Sequence, residues 1–245
     1  MHGYHPIKEA INSKYIKILI IFINKYKINK YKLLINKILY KKIPIKILNK
    51  DKFNKIINLN YNKINNYQGI IANIAIIKNY SLKDIINNKK KRKIILILYN
   101  LTDTRNIGSI IRTSVCFYVD FIIIPNNYYI YNPKIIKISS GAIFKIPICR
   151  VKNIELSIKY LIKNNIRIIS ITEKGDKNII NNLFFNKIES IAFILGNEEK
   201  GIPNNILNIS KDKFYIPINK KQISSLNVSI ACGIILYEIN KKILF

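Results

Sequence analysis

The chain has 245 residues, 49% of them hydrophobic, with 42 Lys and Arg against 13 Asp and Glu and a formal net charge of +29. That length and apolar content support a buried core in one large or two small domains, so the chain is read as globular. The charge points to a polyanion, nucleic acid before anionic membrane, because clustered cations gain by displacing counterions from phosphates. Lys, Asn and Ile share AT-rich codons, so the sign of the charge carries more than its size. Cys116, Cys149 and Cys232 are widely spaced without a C-x-x-C pair, which argues against a disulfide framework or a zinc site and for a reducing compartment. The apolar run from Ile18 to Ile23 is far short of the ~20 residues of a membrane span. Glu9 ahead of it, with no small-residue cleavage site after it, argues against a secretory signal. The expectations are no membrane, no metal and a cytoplasmic location, with an organelle stroma or matrix as the alternative.

In chain order, "GYHPIKEAINS" reads as a helix, and "IKILIIFI" and "NYQGIIANIAII" as strands. Residues 1–76 thus form a small α/β module. Residues 77–92 are polar, end in the basic run around Lys89 to Lys93, and read as a linker. From 93 to 245, strands and helices alternate, which argues for a parallel sheet with crossover helices. The strand candidates are Ile94 to Tyr99, Phe121 to Pro125, Ile166 to Ile171, Ile191 to Leu195 and Phe214 to Ile218, nearly unbroken apolar runs as befits strands buried on both faces. Helices are expected at Asn106 to Tyr118, Asn153 to Asn164 and Leu226 to Asn240. In the last, Leu226, Ile230, Ile234 and Tyr237 are read as the buried stripe, and Ser229, Ala231, Cys232 and Gly233 keep the other face slim.

Three stretches place polar residues at the C-terminal ends of expected strands, where open α/β sheets hold ligands. In "NLTDTRNIGSIIRTS", Asp103 or Thr104 caps a helix that carries Arg112; taken alone, this is a capped surface helix. "ILGNEEKGIP" has glycines on both sides of Glu198, allowing a tight turn, yet lacks the glycine pattern of a Rossmann or phosphate-binding loop; a plain turn with solvated charges fits it equally well. In "SSLNVSIACG", Ser224 or Ser225 is read as the helix cap and Asn227 as an amide facing a cleft.

In this order, "NxGxxxRT" at Asn106 to Thr113, "LGNEEKGI" at Leu195 to Ile202 and "IPINKKQISSLNVSIACGIILYE" at Ile216 to Glu238 resemble the motifs of the SpoU, or TrmH-like, branch of the SPOUT RNA ribose methyltransferases. "HGYHPIKEAI" and "NYQGIIA" look like the substrate-binding module of the ribosomal RNA guanosine 2'-O-methyltransferase subgroup, itself similar to an RNA-binding ribosomal protein. The resemblance implies a small α/β RNA-binding domain followed by a parallel-sheet α/β methyltransferase domain with a C-terminal trefoil knot, one of the rare exceptions to unknotted topology. It implies S-adenosylmethionine as cofactor, against Leu195, Gly196, Gly201, Ile216 and Leu226. Asn106, Arg112, Glu198, Ser225 and Asn227 would form the reaction centre, with ribosomal RNA as substrate and a homodimer as the assembly. A transfer RNA ribose methyltransferase and a non-catalytic RNA-binding or ribosome-assembly factor are the competing readings. Thr104 stands where the family commonly has Pro, and the loop from Ile218 to Asn227 is longer and more basic than usual.

Overall fold

The computed structural model describes residues 1–60, 67–182, 189–219, 221–222 and 225–244. Its contacts divide the chain into two compact units, one of Met1–Lys78 with Tyr131–Lys145 and one of Asn79–Ile130 with Ile146–Phe245.

The first unit begins with α1 (Tyr4–Ala10), β1 (Ile16–Asn24), α2 (Lys32–Tyr40), β2 (Ile45–Leu48), α3 (Lys50–Asn60) and β3 (Ile70–Ile76). β1 lies at the centre of a three-stranded sheet, parallel to β2 and antiparallel to β3. Its buried side chains alternate as Ile16 and Ile18 and then, beyond a register shift between Ile18 and Ile20, as Ile21 and Ile23. α2, β2 and α3 were not expected from the sequence.

In the second unit α4 (Leu82–Ile86), β4 (Ile94–Leu98), α5 (Thr104–Cys116) and β5 (Phe121–Pro125) precede an excursion that contains α6 (Pro133–Ile138) and returns at β6 (Ile148–Val151). There follow α7 (Ile154–Lys163), β7 (Arg167–Ile171), β8 (Lys177–Asn178), α8 (Ile179–Asn182), β9 (Ile191–Leu195), α9 (Asn204–Ile209), β10 (Asp212–Tyr215) and α10 (Val228–Leu244). The excursion groups with the first unit. There Ile143 and Phe144 are buried, Ser13 Oγ donates to the Phe144 carbonyl at 2.9 Å, and Lys145 pairs with Glu9 at 2.7 Å. Gly141 turns that corner at φ +83°, where a Cβ would lie 2.8 Å from Pro6 Cα.

The segment read as a linker contributes α4, which opens on a reciprocal Ser81 and Asp84 cap and buries Ile85 in the core of the second unit with Ile95, Ile158 and Ile194. That unit is built on a seven-stranded parallel sheet in the order β6-β5-β4-β9-β7-β10-β8. β4 and β9 are neighbours in register from Ile94 opposite Ile191 to Leu98 opposite Leu195, and both are buried throughout. Their C-terminal loops therefore leave the sheet side by side, which sets the place of the site.

Three expectations are corrected. β10 spans 212–215, not 214–218. β6 and β8 were not foreseen. In α10 the buried residues are Cys232, Ile235, Leu236, Ile239 and Asn240, while Ile230 and Tyr237, read as part of the buried stripe, are 56% and 57% exposed. α10 packs along α5, and Asn240 closes the far end of the pair by donating to the carbonyls of Phe117 at 3.0 Å and Leu236 at 2.9 Å.

Candidate active site

The loop after β4 turns at Asn100, a non-glycine residue at φ 50°, and ends at Asp103, which caps α5 by accepting from the Arg105 N–H at 2.7 Å. Asp103, not Thr104, is thus the cap. The Arg105 side chain bonds the same carboxylate and, with the backbone bond, holds Asp103 below the usual carboxylate range.

The loop after β9 closes on itself. Asn197 and Gly201 exchange backbone hydrogen bonds at 3.1 and 2.9 Å, Asn197 Oδ1 accepts from the N–H groups of Glu199 and Lys200 at 3.0 Å, and Gly201 takes φ +63°. Asn197 Nδ2 donates to the Asn100 carbonyl at 2.8 Å and so fastens one loop to the other. A Cβ on Gly196 would meet Gly201 C at 2.5 Å and Ile202 Cγ1 at 2.7 Å. The glycine is thus required by the loop's own closure, the tight turn read from the sequence.

At this junction three predicted site residues form one network. Asn106, 8% exposed on the first turn of α5, donates through Nδ2 to Glu198 Oε1 at 3.0 Å and accepts through Oδ1 from Asn227 Nδ2 at 3.0 Å. The Glu198 carboxylate also faces the N–H groups of Thr102 and Asp103, each at 3.4 Å. Asn227 Oδ1 accepts from the Ser229 N–H at 2.9 Å and its hydroxyl at 2.6 Å. Asn227 therefore caps α10, a role the sequence reading had given to Ser224 or Ser225; Ser224 lies outside the described residues.

The network borders a cavity of about 650 Å³. Leu195, Gly196, Gly201, Ile216 and Leu226, the expected cofactor residues, all line it, as do Glu198, Ser225 and Asn227. Its walls combine apolar side chains such as Ile171 and Ile202 with the charged Glu173, Lys174 and Lys200. That mixture suits a molecule with a planar apolar base at one end and a zwitterion at the other.

Arg112 is not drawn into the cluster. It is exposed, one turn and about two-thirds of a turn beyond Asn106 on α5, and has no hydrogen bond or ion pair among the described residues. Ser225 is exposed at the cavity wall. Two neighbours of the site escaped the sequence reading. Asn197 had a legible signal, an Asn ahead of a polar turn that ends in Gly. Tyr128 had none; burial first, then the charges of Asp103 and Glu198, raise its phenol above the ordinary range and keep it protonated.

A family model described as the SpoU rRNA Methylase family matches residues 93–237. The chain belongs to the SpoU rRNA methylase family. Residues 2–80 match a second model, described as RNA 2'-O ribose methyltransferase substrate binding. Among curated relatives, the 23S rRNA (guanosine-2'-O-)-methyltransferase RlmB of Blochmanniella floridana is 28% identical over 97% of this chain and 92% of that protein. Among solved structures, the AdoMet-bound rRNA methyltransferase from Sinorhizobium meliloti superposes with a TM-score of 0.79 at 20% identity, over 100% of this chain and 87% of that one. The SpoU methyltransferase AviRb from Streptomyces viridochromogenes, in complex with AdoMet, gives 0.78 at 20% identity over 100% and 90%. These likenesses establish the SpoU-type fold over both units.

Proposed function

We propose that this protein transfers a methyl group from S-adenosylmethionine to the 2'-hydroxyl of a guanosine in large-subunit ribosomal RNA. The observation that carries the reading is the Glu198–Asn106–Asn227 network at the edge of the 650 Å³ cavity. S-adenosylmethionine, held by Leu195, Gly196, Gly201, Ile216 and Leu226, supplies an electrophilic methyl carbon when bound.

The chain's own residues must then position a weak nucleophile and ease loss of its proton. Asn106 and Asn227 each keep an amide N–H without an acceptor among the described residues, and with the Ser225 hydroxyl they orient the ribose. Glu198 fixes the rotamer of Asn106 and ties it to the loop after β4. Arg112, an unpaired guanidinium among the described residues, holds an adjacent RNA phosphate and stabilises the developing alkoxide; it yields a proton too reluctantly to act as a simple base. The first unit is assigned to RNA binding, and Ser225, Leu226 and Asn227 to the knotted region the family implies.

The assembly is a homodimer in this reading, since the exposed Ile230 and Tyr237 flank Gly233, whose Cβ position meets nothing within 4 Å. Mass-spectrometric mapping of ribose methylation in cells with and without the gene tests the activity. One guanosine in large-subunit RNA should lose its 2'-O-methyl group; an unchanged ribosomal map would overturn the reading. Sedimentation tests the assembly, and a stable monomer at micromolar concentration counts against it.

A further inference from the structure

The second unit holds another cavity, of about 300 Å³, against the loop that follows β4. Ile107, Ile124 and Ile130 form an apolar wall, and Thr102, Asn127 and Tyr128 a polar rim. Among the described residues, no ionisable side chain apart from the Tyr128 phenol lines it. Thr102 belongs to both sites, because it lines this cavity while its N–H faces Glu198. Ile107 is likewise the residue next to Asn106.

We propose that this cavity receives the base of the nucleotide whose ribose is methylated, unstacked from its strand and laid against the Tyr128 ring. The inference rests on the methyl-transfer reading above. A ribose oriented by Asn106 and Asn227 carries its base on the carbon next to the reacting one, so the base must lie within one sugar's width of those amides. The second cavity shares a chain segment with them. Its size suits a small planar group, its apolar wall accepts the faces of a base, and neutral amide and hydroxyl groups meet the edges. The scarcity of charge argues against a phosphate or a zwitterion as occupant. Extruding the target from its stack is the usual solution when chemistry must reach one nucleotide.

The test uses single-turnover methylation at saturating S-adenosylmethionine with two RNAs containing the mapped methylation site, one natural and one with an abasic ribose at that position. Wild type should methylate the abasic RNA about tenfold or more slowly, the order expected for a lost base–aromatic contact. Tyr128→Ala should slow the natural RNA by about the same factor and add less than about twofold on the abasic one, while Tyr128→Phe, which keeps the ring, stays within about threefold of wild type. Affinity for S-adenosylmethionine by calorimetry should be unchanged in both variants. Losses that multiply, or an abasic RNA methylated at the natural rate, would overturn the proposal while leaving the activity intact. A wild type that methylates no ribosomal RNA removes the activity and the inference with it.

Discussion

The two ends of the α5–α10 pair are each tied by asparagine side chains, and the amides are used differently. At the far end Asn240 is 7% exposed and gives its amide protons to two main-chain carbonyls. At the near end Asn106 and Asn227 bond to each other and to Glu198 and Ser229, yet each retains a donor with no acceptor among the described residues. An amide has two donors and two acceptor lone pairs. Where the packing has used the donors, the residue holds structure; where donors remain free among the described residues, they are available to the ribose in the function proposed above.

The sharpest way to break this contrast is Asn106→Ala. Single-turnover methylation should fall by about a hundredfold or more, the cost of losing a preorganised donor, with thermal stability and cofactor affinity nearly unchanged. Arg112→Lys comes next. It keeps the charge and loses the planar fork, so the rate should fall by about tenfold or more while RNA affinity, measured by filter binding at fixed salt, changes less than about threefold. Asn240→Leu should do the reverse. Leaving the Phe117 carbonyl without its donor costs about 1–3 kcal/mol, read as a lowered melting temperature, with the turnover of the folded fraction preserved. If Asn240→Leu abolished turnover without lowering stability, the contrast would be lost.

A smaller effect lies in the first unit. Burial first, then the charges of the chain's amino group and Lys137, lower His2 from its ordinary 6.5 to about 4. The unfolded chain takes up that proton at higher pH than the folded one, so stability should fall as pH drops from about 6.5 to about 4 and level off below. His2→Asn should flatten this limb in denaturant titrations across that range; an unaltered slope would show that other groups carry it.

Much of the fold was legible, for identifiable reasons. β4, β5 and β9 are unbroken apolar runs, and a strand buried on both faces leaves no other pattern. β6 is four residues long with the exposed Arg150 within it, too short and too mixed to stand out. α10 was found but turned the wrong way, because Ile230 and Tyr237 lie outside while Ile235, Leu236 and Ile239 lie inside, and periodicity cannot choose a face on a helix that is apolar around much of its circumference. Asn106, Glu198 and Asn227 became visible only through the order of three motifs, since each stretch alone fits a plain turn or cap. The second cavity was illegible, as it is assembled from the ends of β4 and β5 and the start of α5, which are separated in sequence.

The excursion at residues 131–145 also has a bearing on synthesis. Its Ile143 and Phe144 are buried within the first unit, beside Ser13 and Glu9. As the chain leaves the ribosome from its N-terminus, at about 5–20 residues per second, the first unit cannot complete its core when residue 78 emerges. It must wait several seconds for residue 145, with α1 lacking part of its cover, while β4 emerges before β9 exists to flank it. Nascent chains halted shortly after residue 78 should therefore be cut readily by protease around α1, and those halted well past residue 145 should resist.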